Sequence, residues 1–201
     1  IRTISQELKE LLGSSLTAVY NDHVVTLTIR DAPPFLSPSR LTALDQFLAA
    51  NQLVAGVSFR FSDLSRARDH YRQALDAIGV GQRMAPGRRF HRLRDLVVYE
   101  LFSICNLSLD LQEYVLPELR LLAEYDRQHQ TELYQTLYQF FQCGLSRGDT
   151  AKRLHIHRNT LLYRLEKIQE ITGLTWEGDT LLDCLISFRL LNYLEHSGEG
   201  D

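Results

Sequence analysis

Between Asp149 and Ile168 the chain reads DTAKRLHIHRNTLLYRLEKI, with Lys152, Arg153, Arg158, Arg164 and Lys167 set among Asn159, Thr160 and Tyr163. Arg, Lys, Thr and Tyr bind phosphate oxygens, while Asn pairs with adenine and Arg with guanine at base edges. From Cys143 to Glu170 six basic residues face three acidic ones, a net +3 that leaves −6 for the rest of a chain whose formal charge is −3. An acidic chain with one basic window has the charge distribution of a nucleic-acid contact.

Such side chains need a helix-turn-helix to present them: a short first helix, a tight turn, and a second helix with one face on the core and the other in the major groove. RGDTAKRL supplies the first helix, with small Ala151 where the helices approach and Leu154 facing inward. HIH is the turn. His155 stands where a residue of positive φ is common, Ile156 plugs the interhelical angle, and His157 precedes the second helix, where a polar side chain caps free N–H groups. From Arg158 onward, steps of about 100° per residue gather Leu161, Leu162, Leu165 and Ile168 into one arc of about 120°. The opposite arc holds Asn159, Thr160, Tyr163, Arg164 and Lys167, with Glu166 and Glu170 at its edge. The candidate DNA-contacting residues are therefore Lys152, Arg153, His157, Arg158, Asn159, Thr160, Tyr163, Arg164 and Lys167. Arg164, Asn159 and Lys167 are expected in the groove, and Lys152, Arg153, Arg158 and Thr160 on the backbone.

The elements before this window fall into two patterns. Ile4, Leu8, Leu11 and Leu12 have helical spacing closed by Gly13. LTAVY and HVVTLTI form a hairpin about Asn21-Asp22, followed by a break at Pro33-Pro34. SRLTALDQFLAAN reads as a helix, VAGVSFRF as a strand, and SDLSRARDHYRQALDAIG as a helix opened by Ser62 and stopped by Gly79. The order α-β-β-α-β-α suggests an α+β module with an antiparallel sheet covered on one side by helices. MAPGRR, Met84 to Arg89, places the boundary between residues 1–84 and residues 85–201. Beyond it the chain reads as helical: Leu93, Leu96, Val97, Leu101 and Ile104 share one face, Pro117 opens another helix, and Leu133, Leu137, Phe140 and Phe141 line a third before Gly144. The closing helix has apolar residues on more than one face, enough for its own core or for a partner as well. HSGEGD is a frayed tail. The fold class expected is mainly α, with a partial α+β N-terminal module and an all-helical C-terminal domain.

TAKRLHIHRNTLLYRLEKIQEITG closely resembles the C-terminal helix-turn-helix of the PucR/CdaR family of bacterial transcription regulators, and more loosely the Fis type, which commonly has Gly and Asn at the places of His155 and His157. FHRLRDLVVYELF, VLPELRLLAEYD, ELYQTLYQFFQCG and DTLLDCLISFRLLNYL are similar to the helices around that motif, so the resemblance covers about Phe90 to Leu194. VAGVSFRFSDLSRARDHYRQALDAIG resembles the end of the GGDEF-like domain of CdaR-type regulators. Active GGDEF domains use a Gly-Gly-acidic-acidic turn to make cyclic di-GMP; VYNDHVV offers Asp22 without the glycines, and no cyclase activity is expected. The resemblance implies a homodimer on double-stranded DNA and a small-molecule effector, purine-related or sugar-acid-like in some members, bound by a sensory domain upstream. Ile1 at the start and Met84 as the single methionine agree with a native start further upstream.

No apolar run approaches the roughly 20 residues of a bilayer span and no signal segment opens the chain, so a cytoplasmic location and no membrane partner are expected. Cys105, Cys143 and Cys184 form no Cys-x-x-Cys pair and read as reduced core residues. His155 and His157 lack a third ligand at a usual spacing, so no metal is expected. Ser146, Asp149 and His155 lack a strained nucleophile turn, and no Gly-rich loop cradles a phosphate, so no cofactor, catalytic residue or enzyme is expected. Two other readings stand beside the regulator: an interaction or signal-relay module whose basic helix binds an acidic protein, and a nucleotide-binding domain derived from GGDEF.

Overall fold

The computed structural model describes residues 2–13, 15–29 and 36–197; the Pro33-Pro34 break and most of the HSGEGD tail lie outside them. The protein is mainly α, with nine α-helices and four short strands among the described residues. The chain divides into two compact units, residues 1–100 and 101–201.

In the first unit, α1 (Arg2–Leu12) precedes the hairpin of β1 (Ser15–Tyr20) and β2 (His23–Thr28). Asn21 and Asp22 both take positive φ, 47° and 61°, the geometry that joins two antiparallel strands through two residues. Helix α2 (Pro38–Ala50) starts on Ser37, whose side chain accepts the Arg40 N–H, and Leu44 and Leu48 bury with Leu12 and Leu36. β3 (Ala55–Val57) is shorter than the expected strand and pairs in parallel with β4 (Phe90–Arg92), a strand that was not expected. In place of one antiparallel sheet, the described residues form two separate two-stranded sheets, one antiparallel and one parallel.

Between β3 and β4 runs α3 (Ala67–Met84), preceded by a 3-10 turn that Asp63, not Ser62, caps. The helix passes through Gly79 and ends beyond it, because one exposed glycine costs a helix only about 1 kcal/mol. Gly81 has a different role: a Cβ there would lie 2.2 Å from the ring of the buried His91. The absent side chain lets β4 lie close on α3. Burial pushes the His91 imidazole below its ordinary value.

In the second unit α5 (Pro117–His129), α6 (Leu133–Gln142), α7 (Arg147–Arg153), α8 (Arg158–Thr172) and α9 (Gly178–Ser197) enclose one core. Leu119, Leu122, Leu137, Leu161, Ile168 and Phe188 are at its centre. The division between units falls within α4 (Leu93–Cys105), and of that helix's apolar stripe only Leu93 is buried; Val97, Leu101 and Ile104 are exposed. The cysteines do not share a core either. Cys184 is buried and its thiol is raised by burial to about 11, Cys143 is half-buried, and Cys105 is exposed.

Gly81→Ala is expected to lower stability by about 1–3 kcal/mol through overpacking against His91. Gly79→Ala, with open space around its Cβ, is expected to raise it by about 0.5–1 kcal/mol. Urea denaturation of both variants checks the pair. Because the folded His91 binds its proton less tightly than the unfolded residue, unfolding takes up protons, and the stability from its neutral form is lost as pH falls below about 6.5. Replacing His91 should flatten that part of the pH–stability curve, and an unchanged curve would refute the assignment.

Candidate nucleic-acid interface

The site is built on α6, α7 and α8. Ser146 starts α7: its hydroxyl accepts the Asp149 N–H at 3.3 Å and donates to the Asp149 carboxylate at 2.7 Å. This reciprocal cap fixes the first turn. Thr150, fully buried, donates back to the Ser146 carbonyl at 2.7 Å, and Ala151 presents its methyl group where α7 meets α8.

The turn is as tight as its three residues allow. His155 takes a φ of 54°, and the Ile156 N–H donates to the Ala151 carbonyl at 3.1 Å, closing α7 in a Schellman arrangement. Leu154 and Ile156 then pack on the main core. His157 is extended, and its Nδ1 accepts the Asn159 N–H at 3.2 Å, a cap on α8 made by an imidazole in place of the usual hydroxyl or carboxylate.

The two faces of α8 separate largely as its spacing dictates. Leu161, Leu165 and Ile168 are buried, while Leu162 is only half-buried and lies at the margin. Lys152, Arg153, His157, Arg158, Asn159, Thr160 and Tyr163 are exposed, and all stand on the last turn of α7, the connection, or the first half of α8. The acidic Glu166 and Glu170 come later on α8, beyond the turns that enter a groove first.

Arg164 and Lys167 are held differently. Arg164 has 23% of its side chain exposed, and its Nη1 donates to the hydroxyl of buried Thr136 on α6 at 3.0 Å. Both terminal guanidinium nitrogens, Nη1 and Nη2, also lie 3.4 Å from the Glu132 carboxylate. Lys167 donates to Glu170 at 3.0 Å, and that hydrogen bond together with the partner's charge raises the ammonium above its ordinary value. Neither cation projects freely from the helix as the sequence spacing suggested.

Three supporting residues had no signal in the sequence. Asp126 on α5 caps α6, its carboxylate accepting the Leu133 and Tyr134 N–H groups, each at 2.8 Å, and the Thr131 hydroxyl at 2.6 Å. Thr136 and Glu132 meet Arg164 across 28 and 32 residues of sequence. A cap reached from the preceding helix and a contact of that span leave no local pattern. Arg147, which the sequence showed only as a charge, is exposed in the first turn of α7.

α6, the short α7 and α8, with this turn and this split of α8 into core and exposed faces, define a helix-turn-helix domain. Residues 133–190 match the family described as the PucR C-terminal helix-turn-helix domain. The purine catabolism regulatory protein of Bacillus subtilis (strain 168) is 29% identical over 161 residues, 76% of this chain and 30% of that protein. The carbohydrate diacid regulator of Escherichia coli (strain K12) is 34% identical over 104 residues, 52% of this chain and 26% of that protein. The proline-responsive transcriptional activator PutR of B. subtilis (strain 168) is 26% identical over 120 residues, 59% of this chain and 29% of that protein. The chain thus spans under a third of the length of these relatives. The solved structure of a regulator of polyketide synthase expression from Bifidobacterium adolescentis aligns over 98% of this chain and 76% of that one at a TM-score of 0.37 and 19% identity.

His157→Ala is expected to destabilise the second unit by about 1 kcal/mol, the usual value of an N-cap, whereas His157→Asn should hold or improve stability. Thermal melting of the two variants decides whether the imidazole caps α8 as described; equal melting temperatures would show that it does not.

Proposed function

We propose that the chain is the DNA-binding part of a sequence-specific transcription regulator, acting as a homodimer on double-stranded DNA. The observation that carries this reading is the exposed first half of α8. Arg158, Asn159, Thr160 and Tyr163 stand clear of the core at the end of a rigid turn, and the chain has the helix-turn-helix family match described above. In this reading Asn159, Tyr163 and Arg158 face the groove. Lys152, Arg153 and Thr160 position the protein on phosphates, and His157 acts mainly through its cap. Arg164 and Lys167, engaged with α6 and Glu170, work from the flank. A homodimer follows from the few base pairs that one helix can read, since two half-sites multiply specificity.

The rest of the assignment rests on resemblance. An effector, purine-like or acid-like as the relatives' names suggest, would be read by a sensory domain outside these residues. Residues 1–84 would be a degenerate GGDEF-like module without cyclase chemistry, serving dimerisation or signal relay, and residues 85–201 the DNA-binding domain. The compact units meet later, at 100/101, because β4 pairs with β3. No helix among the described residues is long and apolar enough to cross a membrane, and the proposed location is the cytoplasm. The reading assigns the chain no catalysis.

Selection of bound fragments from random duplexes, followed by affinity measured against salt, tests the assignment. An inverted-repeat winner with a steep salt slope is expected, and no enrichment at low salt would overturn the reading. On the selected site, Asn159→Ala should cost about 1–3 kcal/mol and relax preference at one base pair, whereas Lys152→Ala should weaken all sequences alike and reduce the salt slope by about 1. Equal losses on selected and random DNA for both variants would refute this division of roles.

A further inference from the structure

A cleft of about 350 Å³ runs between the α5–α6 turn and the flank of α8, with Gln130, Thr131 and Glu132 on one wall and Thr160, Arg164 and Lys167 on the other. Its electrostatics are lopsided. Arg164 is fixed from the inside: buried Thr136 donates its own proton to the Glu132 carbonyl at 2.7 Å, which leaves its hydroxyl oxygen to accept from Arg164 Nη1. The anion opposite is held loosely. The Glu132 side chain is 73% exposed, and a single carboxylate oxygen is shared by the two terminal guanidinium nitrogens at 3.4 Å. That is well beyond the 2.7–2.9 Å of a formed charge-assisted pair and lacks the fork-to-fork match that Arg favours. Nor does the fold need the Glu132 carboxylate, which caps nothing at the start of α6.

A pre-set cation facing a weakly held anion, with Thr160 and the Glu170-paired Lys167 on the same wall, can take a phosphate oxyanion in place of the carboxylate. We propose that this cleft seats a backbone phosphate of the bound DNA and that Glu132 fills the place of that phosphate in the free protein. The inference rests on the DNA-binding reading above and deepens it. DNA engagement exchanges Glu132 for phosphate on Arg164. Arg164 is then a backbone clamp, and Glu132 is a brake that lowers affinity for every duplex. The α5–α6 turn becomes a second wall of the interface, beside the strand of phosphates that flanks a helix lying in the major groove.

The test measures binding of the intact chain and its Glu132→Gln variant to a selected site and to a random duplex, over a range of salt. Glu132→Gln keeps the side chain's size and an acceptor oxygen and removes only the charge. Affinity is expected to rise about threefold to tenfold on both duplexes at low salt, with a steeper salt slope, so that the gain shrinks as salt screens it. In an Arg164→Ala background the same change should give little gain, since the seat has lost its clamp. Glu132→Ala, read alongside by thermal melting, guards against a folding effect and should show the same gain. Unchanged or weakened binding by Glu132→Gln would overturn the proposal and make the pair a structural lock. So would an equal gain from Glu177→Gln, an acid that does not line the cleft. If the unaltered chain binds no duplex at low salt, the DNA-binding reading falls and this proposal with it. If it binds well and only the Glu132 gain is missing, the phosphate seat alone falls.

Discussion

One hydrogen bond, from the Ile156 N–H to the Ala151 carbonyl, sets the direction in which α8 leaves α7. It requires His155 to sit at positive φ, a conformation that a non-glycine residue adopts at some cost. The core offsets that cost. Leu154 and Ile156 are drawn inward on either side of His155, and α8 follows with Leu161, Leu165 and Ile168 already aimed at Leu137 and its neighbours. Capping by His157 begins the new helix at once, so no slack remains between the two axes. Every exposed side chain on the first half of α8 inherits its position from this turn.

The third helix of the motif is tied on its other flank by polar contacts. Asp126 holds the start of α6, and the Thr136 hydroxyl on α6 holds Arg164 on α8. Leu161, Leu165 and Ile168 fix which face of α8 is buried, and the polar contact adds a directional constraint to that packing. A directional contact from a buried hydroxyl to a planar guanidinium restrains rotation about the helix axis. Rotation matters here, since a turn of one residue about the axis would exchange Asn159 for Thr160 at the front of the helix.

What was legible in the sequence is what depends on neighbouring residues. The turn, the small residue at Ala151, the capping position of His157 and the apolar arc of α8 all express local periodicity and backbone preference. The pairing of Ala55–Val57 with Phe90–Arg92 joins segments 35 residues apart through backbone hydrogen bonds, and three residues are too few for any alternation to show. Gly79 misled because an exposed helical glycine and a helix-ending one look alike in sequence, while the glycine that matters, Gly81, is defined by a histidine ten residues later. The stripe on α4 followed helical spacing well, but spacing says nothing of whether a partner covers it. Helix phase placed Arg164 on the exposed arc, and phase alone cannot reveal the hydroxyl that holds it from another helix.

The separation of duties along α8 has a consequence for how such a protein changes over generations. Residues that fix the helix, Leu161, Leu165 and Ile168, answer to folding, whereas Arg158, Asn159 and Tyr163 are exposed and answer to whatever the helix touches. Substitutions at the exposed positions leave the core and its polar ties intact. Partner preference can therefore drift without eroding the scaffold, and one stable frame is free to diversify into many addresses.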